Sequence, residues 1–184
     1  MPITPFQEVW EYIKDITGSF TRTNAEKLYE VALRADGVMV EVGVDQGRSA
    51  SVLLFAARQT GASLLLVDSW PSVLIHNMGR VSDRLADDFL DISCQIAHGL
   101  SVEVAPIVKA ELSLVHIDAN HYREGPEEDC VAWLPKLRSG GFACFHDYGT
   151  GNEAFKAVDA AVDKHCAGWE DLGAWEGLGI RRKP

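Results

Sequence analysis

A chain of 184 residues with 47% hydrophobic and 24% charged side chains carries enough apolar material for one compact core and too little length for two, so it reads as a single globular domain. Its formal net charge of -10 repels a phosphate backbone and an anionic lipid surface, which excludes nucleic acid and membrane as expected partners, and the basic end Arg181-Arg182-Lys183 reads as solvated. No stretch approaches the roughly 20 apolar residues that cross a bilayer. Residues 1–16 lack the basic start and apolar run of a secretion signal. Cys94, Cys130, Cys144 and Cys166 show no metal-site spacing, so free thiols in a reducing cytoplasm are the expectation.

In chain order, residues 5–16 and 24–35 have helical spacing on either side of the Gly18-Ser19 break, with Thr23 or Asn24 as the cap of the second helix. Residues 38–44 (VMVEVGV) are nearly continuous in apolarity, as a strand buried on both faces should be. Further strands are expected over 63–70, 92–98, 112–119 and 142–148, separated by amphipathic helices over 49–59, 80–90, about 102–109 and 127–137. Pro126 is placed to open the last of these and Gly140-Gly141 to close it. Residues 153–166 read as a helix, and 170–175 with 178–182 as a hairpin turning at Glu176-Gly177. Strands alternating with helices predict an α/β fold, a doubly wound, Rossmann-like, mostly parallel sheet in a three-layer αβα arrangement. Within this one domain, residues 1–36 are expected to cover the cleft and 37–184 to form the core, and the loop over 71–79 to act as a lid.

Chemistry gathers at the strand ends. Glu41-Val-Gly43-Val-Asp-Gln-Gly47-Arg-Ser49 follows the first buried strand, and its two glycines allow a ligand to approach backbone at a helix start. Glu41 interrupts an apolar strand, which is expensive for a carboxylate without a partner. Asp68 ends the second strand, where two acceptor oxygens suit the hydroxyls of a ribose, and Gly99 and Ser101 follow the third, where they would border a base. Trp70 is an even choice between stacking on that base and packing. Asp45 stands where a dinucleotide-binding turn needs its second glycine, and its charge disfavours a pyrophosphate. S-adenosylmethionine, a nucleoside without phosphate, fits this pattern better.

Taken together, Glu41-x-Gly43-x-x-x-Gly47, Asp68, Ile117-Asp118-Ala-Asn120-His121-Tyr122 and Gly140-Gly141-Phe-Ala-Cys-Phe-His146-Asp147-Tyr148 resemble the class I S-adenosylmethionine-dependent methyltransferases, and more narrowly methyltransferase family 24, a small bacterial O-methyltransferase group. The resemblance implies a seven-stranded sheet with an antiparallel last strand. It implies cofactor over the first strands, with Glu41, Gly43, Gly47, Ser49, Asp68, Ser101 and Asp118 as cofactor-binding residues, and a small acceptor near the fourth and fifth. Acids at Asp118 and Asp147 hold a divalent cation in related sugar O-methyltransferases, so Mg²⁺ or another divalent cation is implied there, with Asn120 as a third donor. Asn120 and His146 depart from the family pattern of acids. Without a metal, His121 or His146 is the candidate base, and each is equally a structural hydrogen bonder. Asp118, His121, His146 and Asp147 are thus the catalytic candidates. His76, His98, His116 and His165 are assigned no role. A chain this short has few insertions to wall off a site, so a homodimer is expected, which light scattering can refute. The competing readings are a non-catalytic S-adenosylmethionine-binding domain, a nicotinamide-dependent oxidoreductase, and hydrolase or hydroxylase chemistry at the Asp118 cluster.

Overall fold

The computed structural model describes residues 3–184. Seven strands form one sheet: β1 (Val38–Val42), β2 (Ser63–Asp68), β3 (Cys94–His98), β4 (Leu112–Ile117), β5 (Leu137–Phe145), β6 (Glu170–Trp175) and β7 (Leu178–Arg182). Their order is β3-β2-β1-β4-β5-β7-β6. The first five pair in parallel, and β7 runs antiparallel to both β5 and β6. The order reverses between β1 and β4, the switch point at which open α/β sheets leave a crevice beyond the strand carboxyl ends.

Helices cover both faces because the central strands are apolar on both. On one side, α1 (Phe6–Ile13), α2 (Arg22–Ala32), α3 (Arg48–Thr60) and α4 (Ile75–Asp88) bury Ile13, Leu28, Leu53 and Val81 against Met39, Leu64, Leu66 and Leu114. On the other side lie the one-turn α5 (Ser101–Val104), then α6 (Gly125–Trp133) and α7 (Lys156–His165). There Trp133, Val158 and Val162 pack on Val40, Val42, Val115 and Ala143. No described helix is long and apolar enough to cross a membrane.

Four local expectations change. The cap of α2 is Thr21, whose hydroxyl accepts the Asn24 amide while the Asn24 side chain accepts the Thr21 amide, so Asn24 is the far half of a capping box. The segment expected as a lid is largely helix, since α4 starts at Ile75, where Leu74 closes a turn on Pro71 and buried Asn77 bonds Asp45. The region after β3 has a single α-turn followed by a 3-10 turn over Ala105–Ile107. Finally, α6 ends at Trp133, so Gly140-Gly141 do not cap it: they lie inside β5. Leu112 pairs with Leu137 and Leu114 with Phe142, so residues 138–141 bulge from the strand, and Gly140 takes φ 72° to do so. The Gly140 amide donates to Lys183 and the Lys183 amide to Gly141, tying the bulge to the chain end beyond β7. The hairpin turns at Glu176 and Gly177, both left-handed at φ 46° and 90°, as a two-residue turn between twisted strands requires.

Candidate active site

A cavity of about 760 Å³ opens at the carboxyl ends of β1, β2, β3 and β4. That volume falls within the range of small-ligand sites. Gly43 leaves β1 at φ 89°, and a Cβ there would stand 2.0 Å from the Asp118 carbonyl oxygen, so the β1 and β4 ends meet backbone to backbone. Gly47, at φ 84°, occupies the N-cap of α3. Asp68 braces this turn. Its Oδ2 accepts the amides of Val44 and Asp45 at 2.7 and 2.8 Å, and its Oδ1 accepts the amide of Trp70 at 2.8 Å. Of about four acceptor positions on a carboxylate, three are taken, leaving one free on a residue of the cavity wall.

Gly43, Ser49, Asp68, Ser101 and Asp118 all line the cavity. Gly47, one step from the wall residues Gln46 and Arg48, shapes the turn. Glu41 is not on the wall. It is fully buried beneath the turn, opposite His116 in the β1–β4 register, with its Oε1 3.1 Å from His116 Nδ1. Burial raises its pKa, against the pull of the His116 ring. The partner that a carboxylate in an apolar strand demands is therefore the histidine to which the sequence assigned no role. Trp70 is 1% exposed and its indole N–H donates to the Asp45 carbonyl, which makes it a brace of the turn. The Asp45 carboxylate accepts from Asn77 and lies on the cavity wall.

At the other end of the cavity the four catalytic candidates meet. His121 Nδ1 lies 3.2 Å from Asp147 Oδ2 and His121 Nε2 3.7 Å from Asp118 Oδ1. His146 Nδ1 lies 3.2 Å from Asp118 Oδ1 and 3.4 Å from Asp147 Oδ2. His146 Nδ1 makes no directed hydrogen bond, so its link to the two acids is one of charge. Burial lowers the His146 pKa, but the flanking Asp118 and Asp147 carboxylates outweigh it and push the pKa up to about 10. The two rings differ in access. His121 has a quarter of its side chain exposed and faces the cavity, whereas His146 is 6% exposed and lies behind it, under Phe20 at a ring separation of 5.5 Å. Asp147 holds a left-handed φ of 62°, and the amide after it donates to the Gly177 carbonyl, so the hairpin turn fixes the end of β5.

Ligand atoms of Asp118, His121 and Asp147 lie within 4.8 Å of one another, and no other such group occurs among the described residues. Asn120 does not join them, because its Oδ1 accepts the Tyr122 amide and its side chain fills the space over Gly125.

Phe20, Arg48 and Asp129 were not singled out in the sequence, whereas residues 17–20 fall within the segment expected to cover the cleft. Residues 17–20, between α1 and α2, line the cavity, and Arg48 holds them by donating to the Gly18 carbonyl at 2.9 Å. Phe20 roofs both His116 and His146. Asp129, 3% exposed on α6, also lines the cavity, and it hides in a Glu127-Glu128-Asp129 run that looks like a solvated first turn. Its i, i+4 relation to Trp133 was the available signal. Burial raises the Asp129 pKa to about 6, with the Ser101 hydroxyl opposing the shift. An acid whose folded pKa is raised loses stability as pH climbs from its unfolded value, near 4, through 6. Asp129→Asn is therefore expected to stabilise the protein by about 1–3 kcal/mol at pH 8 and by nothing near pH 4. Urea midpoints at the two pH values check this, and equal gains at both would remove the assignment.

Residues 40–148 match the family model described as a methyltransferase domain, methyltransferase family 24. Among solved structures, the O-methyltransferase NovP is similar with a TM-score of 0.72 at 16% identity, over 90% of this chain and 83% of that one. The S-adenosylhomocysteine-bound methyltransferase PaMTH1 of Podospora anserina has a TM-score of 0.71 at 16% identity, over 98% and 89%. CalS11, a TDP-rhamnose 3'-O-methyltransferase of calicheamicin biosynthesis, has 0.67 at 14%, over 96% and 92%. At these identities the structures establish a shared fold.

Proposed function

The chain belongs to methyltransferase family 24, and from that premise we propose that it transfers the methyl group of S-adenosylmethionine to an oxygen of a small acceptor. The observation that carries this reading is one continuous cavity that runs from the Gly43–Asp68 turn to the Asp118–His121 cluster. A nucleoside at the first end and an acceptor at the second would share a space closed by residues 17–20. The NovP and CalS11 structures, both O-methyltransferases, support oxygen as the methyl acceptor.

In this reading the free acceptor position of Asp68 takes a ribose hydroxyl, and the start of α3 at Gly47 to Ser49 receives the carboxylate of the methionine part. The acceptor oxygen attacks the methyl carbon, the carbon–sulfur bond breaks, S-adenosylhomocysteine departs, and the acceptor hydroxyl loses its proton. His121 takes that proton, because of the two rings only His121 faces the cavity. His146 holds Asp118 and Asp147 in place from behind. Asp118 and Asp147 suit a hard divalent cation of the Mg²⁺ class, which when bound would orient the acceptor oxygen and ease its deprotonation. In-line placement of oxygen against methyl supplies much of the remaining rate.

Calorimetric titration with S-adenosylhomocysteine and with NAD tests the reading: the first is expected to bind and the second not, since the Asp45 carboxylate on the cavity wall would repel a pyrophosphate. The reverse result would overturn it. Asp118→Ala is expected to weaken Mn²⁺ binding by at least about 100-fold, and His121→Ala by less than about tenfold, in water-proton relaxation titrations. Equal losses would make His121 a metal ligand and not the base.

A further inference from the structure

We infer that Asn24 is a positioning residue for Asp147: it clamps the hairpin turn at 175–177 against the end of β5 and so fixes the backbone that carries the Asp147 carboxylate. The inference rests on the reading that Asp147 helps to hold a divalent cation beside Asp118. Asp147 is a non-glycine residue at φ 62°, a conformation that persists only where its surroundings enforce it. The hairpin turn enforces it. The Tyr148 amide donates to the Gly177 carbonyl at 3.0 Å, and a Cβ on Gly177 would lie 3.8 Å from Asp147 Cα. Turn and strand end thus meet backbone to backbone, and a shift of the turn becomes a shift of Asp147.

The turn needs an anchor of its own. One arm of the hairpin, β6, is the edge of the sheet, and its register shifts between Asp171 and Gly173, so strand pairing anchors the turn from the β7 side only. Asn24 supplies the other side. It is fully buried, and its Nδ2 donates to the Trp175 carbonyl at 2.7 Å and to the Glu176 carbonyl at 3.3 Å. The capping box of α2 uses only the side-chain oxygen, which accepts the Thr21 amide at 3.1 Å. A carboxylate at this position would serve the cap and set lone pairs against both turn carbonyls, so the helix start does not account for the amide. Thr21 adds a second tie, its hydroxyl donating to Glu176 Oε2 at 2.7 Å. Residues 17–20 line the cavity and run directly into this clamp, and Phe20 packs on His146, whose Nδ1 lies 3.4 Å from Asp147 Oδ2. The segment that covers the cavity and the acid at its end therefore share one anchor.

The test measures Mn²⁺ affinity by water-proton relaxation, S-adenosylhomocysteine affinity by calorimetry and hydrogen exchange at the Tyr148 amide, all on the intact protein. Asn24→Asp is isosteric and still caps α2, yet it is expected to weaken Mn²⁺ binding by about tenfold while S-adenosylhomocysteine stays within about threefold of wild type. The Tyr148 amide is expected to exchange at least about tenfold faster, with the amides in the middle of β4 as protected as before. Glu176→Asn, at an exposed position and compatible with φ 46°, removes only the tie to Thr21 and is expected to weaken Mn²⁺ binding by about threefold. Mn²⁺ affinity within about twofold of wild type in both variants, or equal losses of Mn²⁺ and S-adenosylhomocysteine affinity in Asn24→Asp, would overturn the inference. Failure of the wild type to bind Mn²⁺ would overturn the cation reading beneath it, and the Tyr148 amide then decides alone whether Asn24 places the end of β5.

Discussion

Gly43→Ala is expected to destabilise the protein by at least about 3 kcal/mol and to abolish cofactor binding. The added methyl would stand 2.0 Å from the Asp118 carbonyl oxygen and 2.8 Å from Ala119 Cα, and both are backbone atoms that cannot swing aside. The residue also needs φ 89°, a region that L side chains avoid. Relief requires β1 and β4 to separate where the Gly43 turn meets Asp118, so the nucleoside and acceptor ends of the cavity are disturbed together. For a chain of this length the melting temperature should fall by roughly 6–12 °C. Gly61→Ala is the matched control: Gly61 has φ 75° at the end of α3, but a Cβ there meets nothing within 4 Å. It should cost only about 1 kcal/mol and leave S-adenosylhomocysteine binding intact. Equal melting temperatures for the two variants would show that the close approach of β1 to β4 is not what Gly43 provides.

Asp68→Ala is expected to weaken S-adenosylhomocysteine binding by about 100-fold or more. Two losses add in this variant. The amides of Val44, Asp45 and Trp70 lose their shared acceptor, so the glycine turn is no longer held in shape, and the remaining lone pair toward the ribose disappears. Asp68→Asn separates the two. Its carbonyl oxygen can serve the Val44 and Asp45 amides, but its amide group then faces the Trp70 N–H, donor against donor. That variant should keep most of the thermal stability while losing about tenfold in affinity. Binding by Asp68→Ala within threefold of wild type would remove Asp68 from the cofactor site.

The sequence made the strand-terminal chemistry legible because that chemistry is local. The turn at Gly43 and Gly47, the acid at Asp68 and the acids at Asp118 and Asp147 each follow an apolar strand, and parallel strands deliver their ends to one side of a sheet. All of these except Gly47 and Asp147 reach the cavity wall, and those two lie beside it, one shaping the turn and the other in the cluster. The hairpin at Glu176-Gly177 was legible for the same reason, since two left-handed residues between strands are a local demand. Gly140-Gly141 read as a helix cap in the sequence because glycine serves caps and bulges alike, and only the pairing of Leu137 with Leu112 and of Phe142 with Leu114 tells the two apart.

Sequence by itself determined the α/β alternation and the set of strand-end acids, which follow from periodicity and from residue types at short spacing, and its motifs carried the resemblance to the methyltransferase family. Tertiary structure alone decided that Glu41 pairs with His116 and stays off the cavity wall, that His121 and not His146 faces the cavity, and that Asp129 is buried against Ser101. Each of those depends on a contact between residues far apart in the chain, or on the direction of a side chain. Local spacing carries no record of either, because neighbours across a sheet or between a loop and a helix are chosen by packing.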